Sequence, residues 1–252
     1  MAAGCINHLT DGINLLCTAD KTVAQLIEGR IPKLAALFDL YMDEIERFNP
    51  IYSLVKAANR NELVVKHILD SLAPLGLIAS LLKKPLMELA GKNGLTNTII
   101  ADIGSGAGLP GIPLALCLAG VRVNLIERMG RRAAFLRNVT AILGLSQVTV
   151  VEKELEKTNT VYDLITLRAV SSLTPDFIGK LARLLHSPDP PGGRAQGGII
   201  AAYKGRLETA KTELELLSNY DTELIPINVP FLNEERCLVL IKHDLSSLSL
   251  TC

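Results

Sequence analysis

Residues 99–113 read IIADIGSGAGLPGIP, and this stretch limits the architectures open to the chain more than any other. An apolar run ends in Asp102, three glycines follow at alternate positions (Gly104, Gly106, Gly108), and an apolar segment flanked by Pro110 and Pro113 begins. The pattern predicts a buried strand, a tight turn, and a helix whose N-terminus faces a bound molecule. Glycine is needed where φ is positive or where a Cβ would block the approach of a ligand. A dinucleotide fingerprint demands Gly-x-Gly-x-x-Gly, with the pyrophosphate on the helix N-terminus; the third spacing here differs. Asp102 would face that pyrophosphate, and two like charges about 4 Å apart repel by roughly 4 kcal/mol at an effective dielectric near 20. S-adenosylmethionine, which has no phosphate and carries a sulfonium and an ammonium group, removes the conflict. A P-loop is excluded, because no Gly-Lys-Ser/Thr follows.

About twenty residues on, VRVNLI (Val121 to Ile126) is a short β-branched run ending at Glu127, as expected of the next parallel strand. A carboxylate at that strand tip is placed to accept both ribose hydroxyls of an adenosine. From Thr96 onward strands and helices alternate: strands are expected at 98–103, 121–126, 147–151, 162–167, 198–203, 223–229 and 237–242, and helices at 111–119, 130–143, 173–186 and 205–219. Alternation of this kind implies a parallel sheet with helices on both faces. The last two strands have only a short loop between them and should pair as an antiparallel hairpin. The fold class is therefore α/β, a Rossmann-like class I methyltransferase with seven strands, mostly parallel, ending in an antiparallel strand. Residues 1–95 form a helical extension packed on it, residues 96–243 the methyltransferase domain, and residues 244–252 a polar tail. In the extension, Leu34, Leu37, Phe38, Tyr41, Met42, Ile45 and Phe48 make one helical stripe that stops before Pro50. A second helix is expected over Asn61 to Leu72, and a leucine-rich third after Pro74.

Formal net charge is zero and 48% of residues are hydrophobic, so the chain has no global electrostatic pull toward nucleic acid. Any RNA contact must come from a local patch, and five arginines lie between Arg122 and Arg137 beside one glutamate. The cysteines (Cys5, Cys17, Cys117, Cys237, Cys252) show no CxxC and no pairing with His at metal spacing; they read as reduced thiols of a cytoplasmic protein without a metal site. No stretch approaches 18 uninterrupted apolar residues, so no membrane partner is expected.

Five stretches, the glycine turn among them, occur in a fixed order: KHILDSL (Lys66 to Leu72), DIGSGAGLPGIPLAL (Asp102 to Leu116), ERMGRRAAFLRNV (Glu127 to Val139), LRAVSSL (Leu167 to Leu173) and YKG (Tyr203 to Gly205). Through them the chain, over about residues 34 to 243, resembles the bacterial 16S rRNA guanine-N7 methyltransferases, also called glucose-inhibited division protein B. The resemblance implies an S-adenosylmethionine-dependent enzyme that methylates N7 of a guanine in the decoding-region loop of 16S rRNA. Its partner would be that rRNA or the small ribosomal subunit, met by a monomer in the cytoplasm. Carried over residue by residue, cofactor contacts fall on Gly104, Leu109, Leu155, Glu156 and Arg168, beside Asp102, Gly106, Gly108 and Glu127 from the turn itself. The chain departs from the family in reading Tyr52-Ser-Leu-Val55 for an Asn-Leu-Thr segment, Arg168-Ala-Val170 for Arg-Ala-Phe, and Arg128 for a small polar residue.

Guanine N7 is a lone-pair nucleophile at neutral pH, so no general base and no catalytic side chain is expected. What the site must supply is alignment, which can be worth roughly 7–11 kcal/mol. Arg131, Arg132 and Lys204 are candidate phosphate contacts, and His67 a substrate contact on the helical extension, with Asp70 beside it. The alternatives are a class I methyltransferase acting on a small molecule or protein, a nicotinamide-dependent oxidoreductase, and a catalytically silent RNA-binding module.

Overall fold

The computed structural model describes residues 8–89, 98–154, 157–158, 160–169, 172–187 and 197–242. Seven strands form one sheet in the order β3-β2-β1-β4-β5-β7-β6. They are β1 (Ile99–Ile103), β2 (Arg122–Ile126), β3 (Val148–Val151), β4 (Leu164–Arg168), β5 (Ile199–Lys204), β6 (Asp221–Pro226) and β7 (Cys237–Lys242). Neighbours from β3 to β5 run parallel, while β7 is inserted antiparallel between β5 and β6. This is the class I methyltransferase arrangement read from the alternation of elements. The order reverses between β1 and β4, and open α/β sheets bind ligands beyond the carboxyl ends of their strands at such a switch point.

Side-chain alternation decides what reaches each face. Ile100, Leu164, Ile199, Ala201, Leu238 and Leu240 join one core, while Ala101, Ile165, Ile200, Val239 and Ile241 join the other. The second face is covered by α9 (Pro175–Ala182) and α10 (Leu207–Glu215), through residues such as Ile178, Leu181 and Ala210. The first face carries α7 (Gly111–Cys117), α8 (Gly130–Ile142) and the whole helical N-terminal layer.

That layer comprises α1 (His8–Ala19), α2 (Lys21–Ile27), α3 (Ile31–Tyr52), the helical run Arg60–Leu63, Val64–Leu69 and Asp70–Leu72 (α4, a π-helical turn, and α5), and α6 (Leu75–Leu89). Helix α1 lies ahead of the three helices expected from the sequence, with Leu9, Ile13 and Leu16 on its buried stripe. Asp20 caps α2 by accepting from the Thr22 N–H at 2.7 Å. Helix α3 corrects a second expectation: it passes through Pro50 and ends at Tyr52. Proline removes one donor and frees the carbonyl four residues back; here that carbonyl belongs to exposed Glu46, near the end of the helix, where water can take it. The helix then closes on Ser53 in the left-handed conformation (φ 49°), with Asn49 Oδ1 accepting from Val55 N–H at 2.9 Å. The helical run Arg60–Leu82 is long and apolar enough to cross a bilayer, but 72% of its apolar window is buried inside this protein. The segment between α6 and β1, the Pro/Gly-rich stretch before β5, and the tail after Lys242 lie outside the described residues.

Candidate active site at the strand tips

All three glycines of the first turn have positive φ (67° at Gly104, 56° at Gly106, 91° at Gly108), so the spacing read from the sequence is a backbone requirement. The N–H groups of Gly104 and Ser105 both donate to the Ile126 carbonyl, at 2.9 and 3.2 Å, which fastens the turn to the end of β2. Glu127, the next residue, completes the connection: Oε2 accepts from Gly106 N–H at 3.0 Å and Oε1 from Met129 N–H at 2.8 Å. Each carboxylate oxygen keeps a second lone pair. A Cβ at Gly106 would enter open space, with only the Gly104 carbonyl oxygen within reach at 3.8 Å. The turn and the strand-two acid therefore form one unit whose free side is smooth backbone.

Asp102 sits differently from the sequence expectation, which set it beside the ligand. Strand parity points it into the first core, where it is wholly buried; it accepts from Gly111 N–H at 3.2 Å and Thr166 Oγ1–H at 3.1 Å. Gly111 lies so close that a Cβ there would strike Leu125 and the Asp102 carboxylate. Burial pushes the Asp102 carboxyl up to about 6, against the opposing pull of those hydrogen bonds. The consequence for ligand choice survives by another route. A helix N-terminus binds pyrophosphate through its free N–H groups, and here the first of them is spent on an internal carboxylate.

One pleat beyond Thr166 on the same face, Arg168 reaches into the helical layer. Nη1 donates to Asp70 Oδ2 at 2.9 Å and Ser71 Oγ at 3.3 Å, and Nη2 to His67 Nδ1 at 2.7 Å. His67 Nε2 lies 3.0 Å from the Lys56 carbonyl, which can only accept, so Nε2 carries the proton and Nδ1 is the bare acceptor. Burial first, and the Arg168 charge second, lower the His67 pKa to about 4. Arg236, at the foot of β7, holds the other oxygen of Asp70 through Nε at 3.1 Å. Burial raises the Asp70 pKa, with both guanidinium groups pulling the other way. Two tyrosines tie the layers further: Tyr203 Oη donates to the Ser71 carbonyl at 3.2 Å, and Tyr41 Oη to the Ala107 carbonyl in the glycine turn at 2.7 Å.

Around this hub lies a cavity of about 380 Å³ walled by Lys66, Asp70, Arg168, Tyr203, Lys204 and Arg236, among others. The structure thus brings Arg168, His67 and Lys204 to one place beside the turn. Lys204 is not a free cation, since Nζ lies 2.6 Å from Glu213 Oε2 and both side chains are mostly covered. Arg131 is exposed in the first turn of α8, while Arg132 is half-buried and donates to the Ser53 carbonyl at 3.3 Å. Leu109 is buried under the turn. Leu155 and Glu156 lie outside the described residues. Sequence reasoning missed Arg236, Tyr203 and Tyr41 as site residues. Tyr203 was open to discovery, because it pairs directly with Arg168 on the neighbouring strand. Arg236 comes from a hairpin loop and carries no such signal.

Comparison with known proteins agrees with this geometry. The chain is 34% identical over 231 residues to Ribosomal RNA small subunit methyltransferase G of Treponema denticola, covering 83% of this chain and 87% of the relative. It is 36% identical over 225 residues to the protein of the same name from Treponema pallidum (strain Nichols), covering 87% and 90%. To the Acinetobacter baumannii (strain SDF) protein of that name it is 32% identical over 208 residues, covering 81% and 86%. Among solved structures, the human methyltransferase 10 domain containing protein superposes with a TM-score of 0.51 at 11% identity, over 82% of this chain and 98% of that one, a likeness of fold alone. The family model for GidB, rRNA small subunit methyltransferase G, matches residues 34–239. That match takes in the helical layer from α3 onward, the glycine turn and the sheet into β7, and the chain therefore belongs to the GidB family.

Proposed function

We propose that this protein transfers a methyl group from S-adenosylmethionine to N7 of a guanine in the decoding-region loop of 16S rRNA. The observation that carries the reading is the glycine turn locked to Glu127, in a chain that belongs to this family. S-adenosylmethionine supplies an electrophilic methyl on a sulfonium. The residues that would hold it are Gly104, Gly106, Gly108 and Leu109 along the turn, with Glu127 offering its remaining lone pairs to the ribose hydroxyls. Leu155 and Glu156 follow β3, where the adenine would lie. Asp102 supports the turn from beneath. Arg168 stands at the border between this seat and the cavity.

Because N7 already bears a lone pair, no residue has to remove a proton. The chain's task is to exclude water, hold the base edge-on to the methyl, and meet the positive charge that arrives on the purine. Arg131, exposed at the start of α8, is suited to a backbone phosphate, and Arg132 beside it would need to leave the Ser53 carbonyl to join. Phosphate contacts of this kind make binding weaken steeply with salt.

The test joins cofactor and substrate. Calorimetry should detect S-adenosylhomocysteine binding to the wild type and none to Gly106→Val, whose branched side chain would stand in the seat at a positive φ. Small subunits or 16S rRNA lacking the modification should gain label from methyl-labelled donor, and borohydride–aniline cleavage should place it on guanine N7. Label that reaches no rRNA from a donor-saturated enzyme contradicts the substrate; retained binding in Gly106→Val contradicts the seat.

A further inference from the structure

The cavity walls hold an unequal set of charges. Lys66, Arg168, Lys204 and Arg236 are cationic, and among the described lining residues Asp70 is the one carboxylate. Cations suit the phosphates that any nucleotide brings. A buried carboxylate at the floor of a basic cavity has no such generic use, and the two arginines on its oxygens fix it in place and offset part of what burial costs its charge. Arg168 from β4 takes Oδ2 at 2.9 Å and Arg236, in the loop just before β7, takes Oδ1 at 3.1 Å. Each oxygen has a second lone pair, so two acceptor positions remain on a side chain that two arginines hold still.

We propose that Asp70 is the residue by which this site reads its target as guanine, accepting from N1–H and from the N2 amino group. This rests on the proposed function above. Guanine is the base that presents two adjacent donors on its Watson–Crick edge. Adenine offers an acceptor at N1, which would face the carboxylate lone pair to lone pair, and the pyrimidines have no N7. The edge that carries N1 and N2 lies across the purine from N7, so a base held by Asp70 turns N7 outward. The same contact aids the reaction. Methylation leaves a positive charge on the purine and makes N1–H a stronger donor, so a fixed carboxylate binds the transition state better than the ground state.

The test is a cycle between Asp70 and the N2 amino group. Small-subunit rRNA carrying inosine in place of the target guanine keeps N7 and N1–H but lacks N2. The wild type should turn over guanine about tenfold or more faster than inosine in kcat/KM, the scale of one hydrogen bond to a charged group. In Asp70→Asn the overall rate falls and the guanine-to-inosine ratio should collapse to within about twofold. Arg236→Gln loosens the same network but keeps the carboxylate; it should slow turnover and retain the ratio. S-adenosylhomocysteine binding reports the integrity of each variant. A wild type indifferent to inosine overturns the proposal whether or not Asp70→Asn folds. So does an undiminished ratio in Asp70→Asn, which would leave Asp70 as a structural clamp for two arginines. A wild type that never methylates guanine-bearing rRNA fails on the proposed function instead, and takes this inference with it.

Discussion

His67 shows how a single residue's protonation can be read from its neighbours. A carbonyl on one ring nitrogen and a guanidinium on the other leave one tautomer that satisfies both, the neutral ring with its proton on Nε2. The folded pKa of about 4 lies below the value of roughly 6.5 for an unperturbed imidazole. The fold therefore favours the uncharged ring. Its contribution to stability is complete above pH 6.5 and drains away as pH falls toward 4. NMR titration of the His67 ring should give a midpoint near 4, and Arg168→Ala should move that midpoint upward by removing the adjacent cation. A wild-type midpoint near 6.5 would mean that Arg168 does not hold Nδ1. His67 is thus a contact of Arg168 that stays uncharged near neutral pH, and it should impose no limb on the activity profile there. The spacing of His67, Asp70 and Ser71, at i, i+3 and i+4, already announced one polar helix face in an apolar run. What that face meets, Arg168, lies about a hundred residues away, a distance no local pattern spans.

Among the elements, α3 does two jobs, and only one was visible in its periodicity. Leu34, Phe38, Met42 and Ile45 repeat as any core stripe does. Tyr41 repeats with them, yet its hydroxyl ends on the Ala107 carbonyl and pins the middle of the glycine turn. Tyr41→Phe should keep the helix and leave that buried carbonyl without its donor, at a cost of about 1–3 kcal/mol in denaturant unfolding. S-adenosylhomocysteine affinity should fall along with it; unchanged affinity would show that Glu127 and Ile126 hold the turn without help. The sheet was legible almost throughout, because short β-branched runs alternating with helices admit few topologies. Strand β6 was the exception, expected at 223–229 and found at Asp221–Pro226. It is one of the two edge strands, and Leu224 and Ile225 are its two large apolar residues, neither fully buried, so its apolar pattern is the weakest of the seven. The reading at Pro50 failed for a comparable reason: a local rule about proline gives way where the lost hydrogen bond falls near the solvated end of the helix.

For the whole molecule, the helical extension and the sheet are parts of one core. Phe38 and Tyr41 of α3, Ile68 and Leu72 beneath the hub, Leu114 of α7, Phe135 of α8, and Leu164 and Leu240 of the sheet belong to a single buried cluster. An extension that merely leaned on a finished domain could unfold by itself and leave the sheet intact. A shared core forbids that, because removing the helices exposes the apolar face of β1, β4 and β5. The site inherits this dependence, since Asp70 and His67 come from one layer and Arg168 and Arg236 from the other. Phe38→Ala, at a position with no exposed surface, should therefore destabilise the protein by about 3–5 kcal/mol through lost burial and the cavity left behind. Hydrogen exchange provides the measurement that separates the two pictures. Amides of α1 and of β5 should lose protection by the same free energy in the variant, as members of one cooperative unit. Loss confined to α1, with β5 as protected as before, would mark the extension as a separate folding unit and would make the contacts of Arg168 with His67 and Asp70 open and close without the sheet.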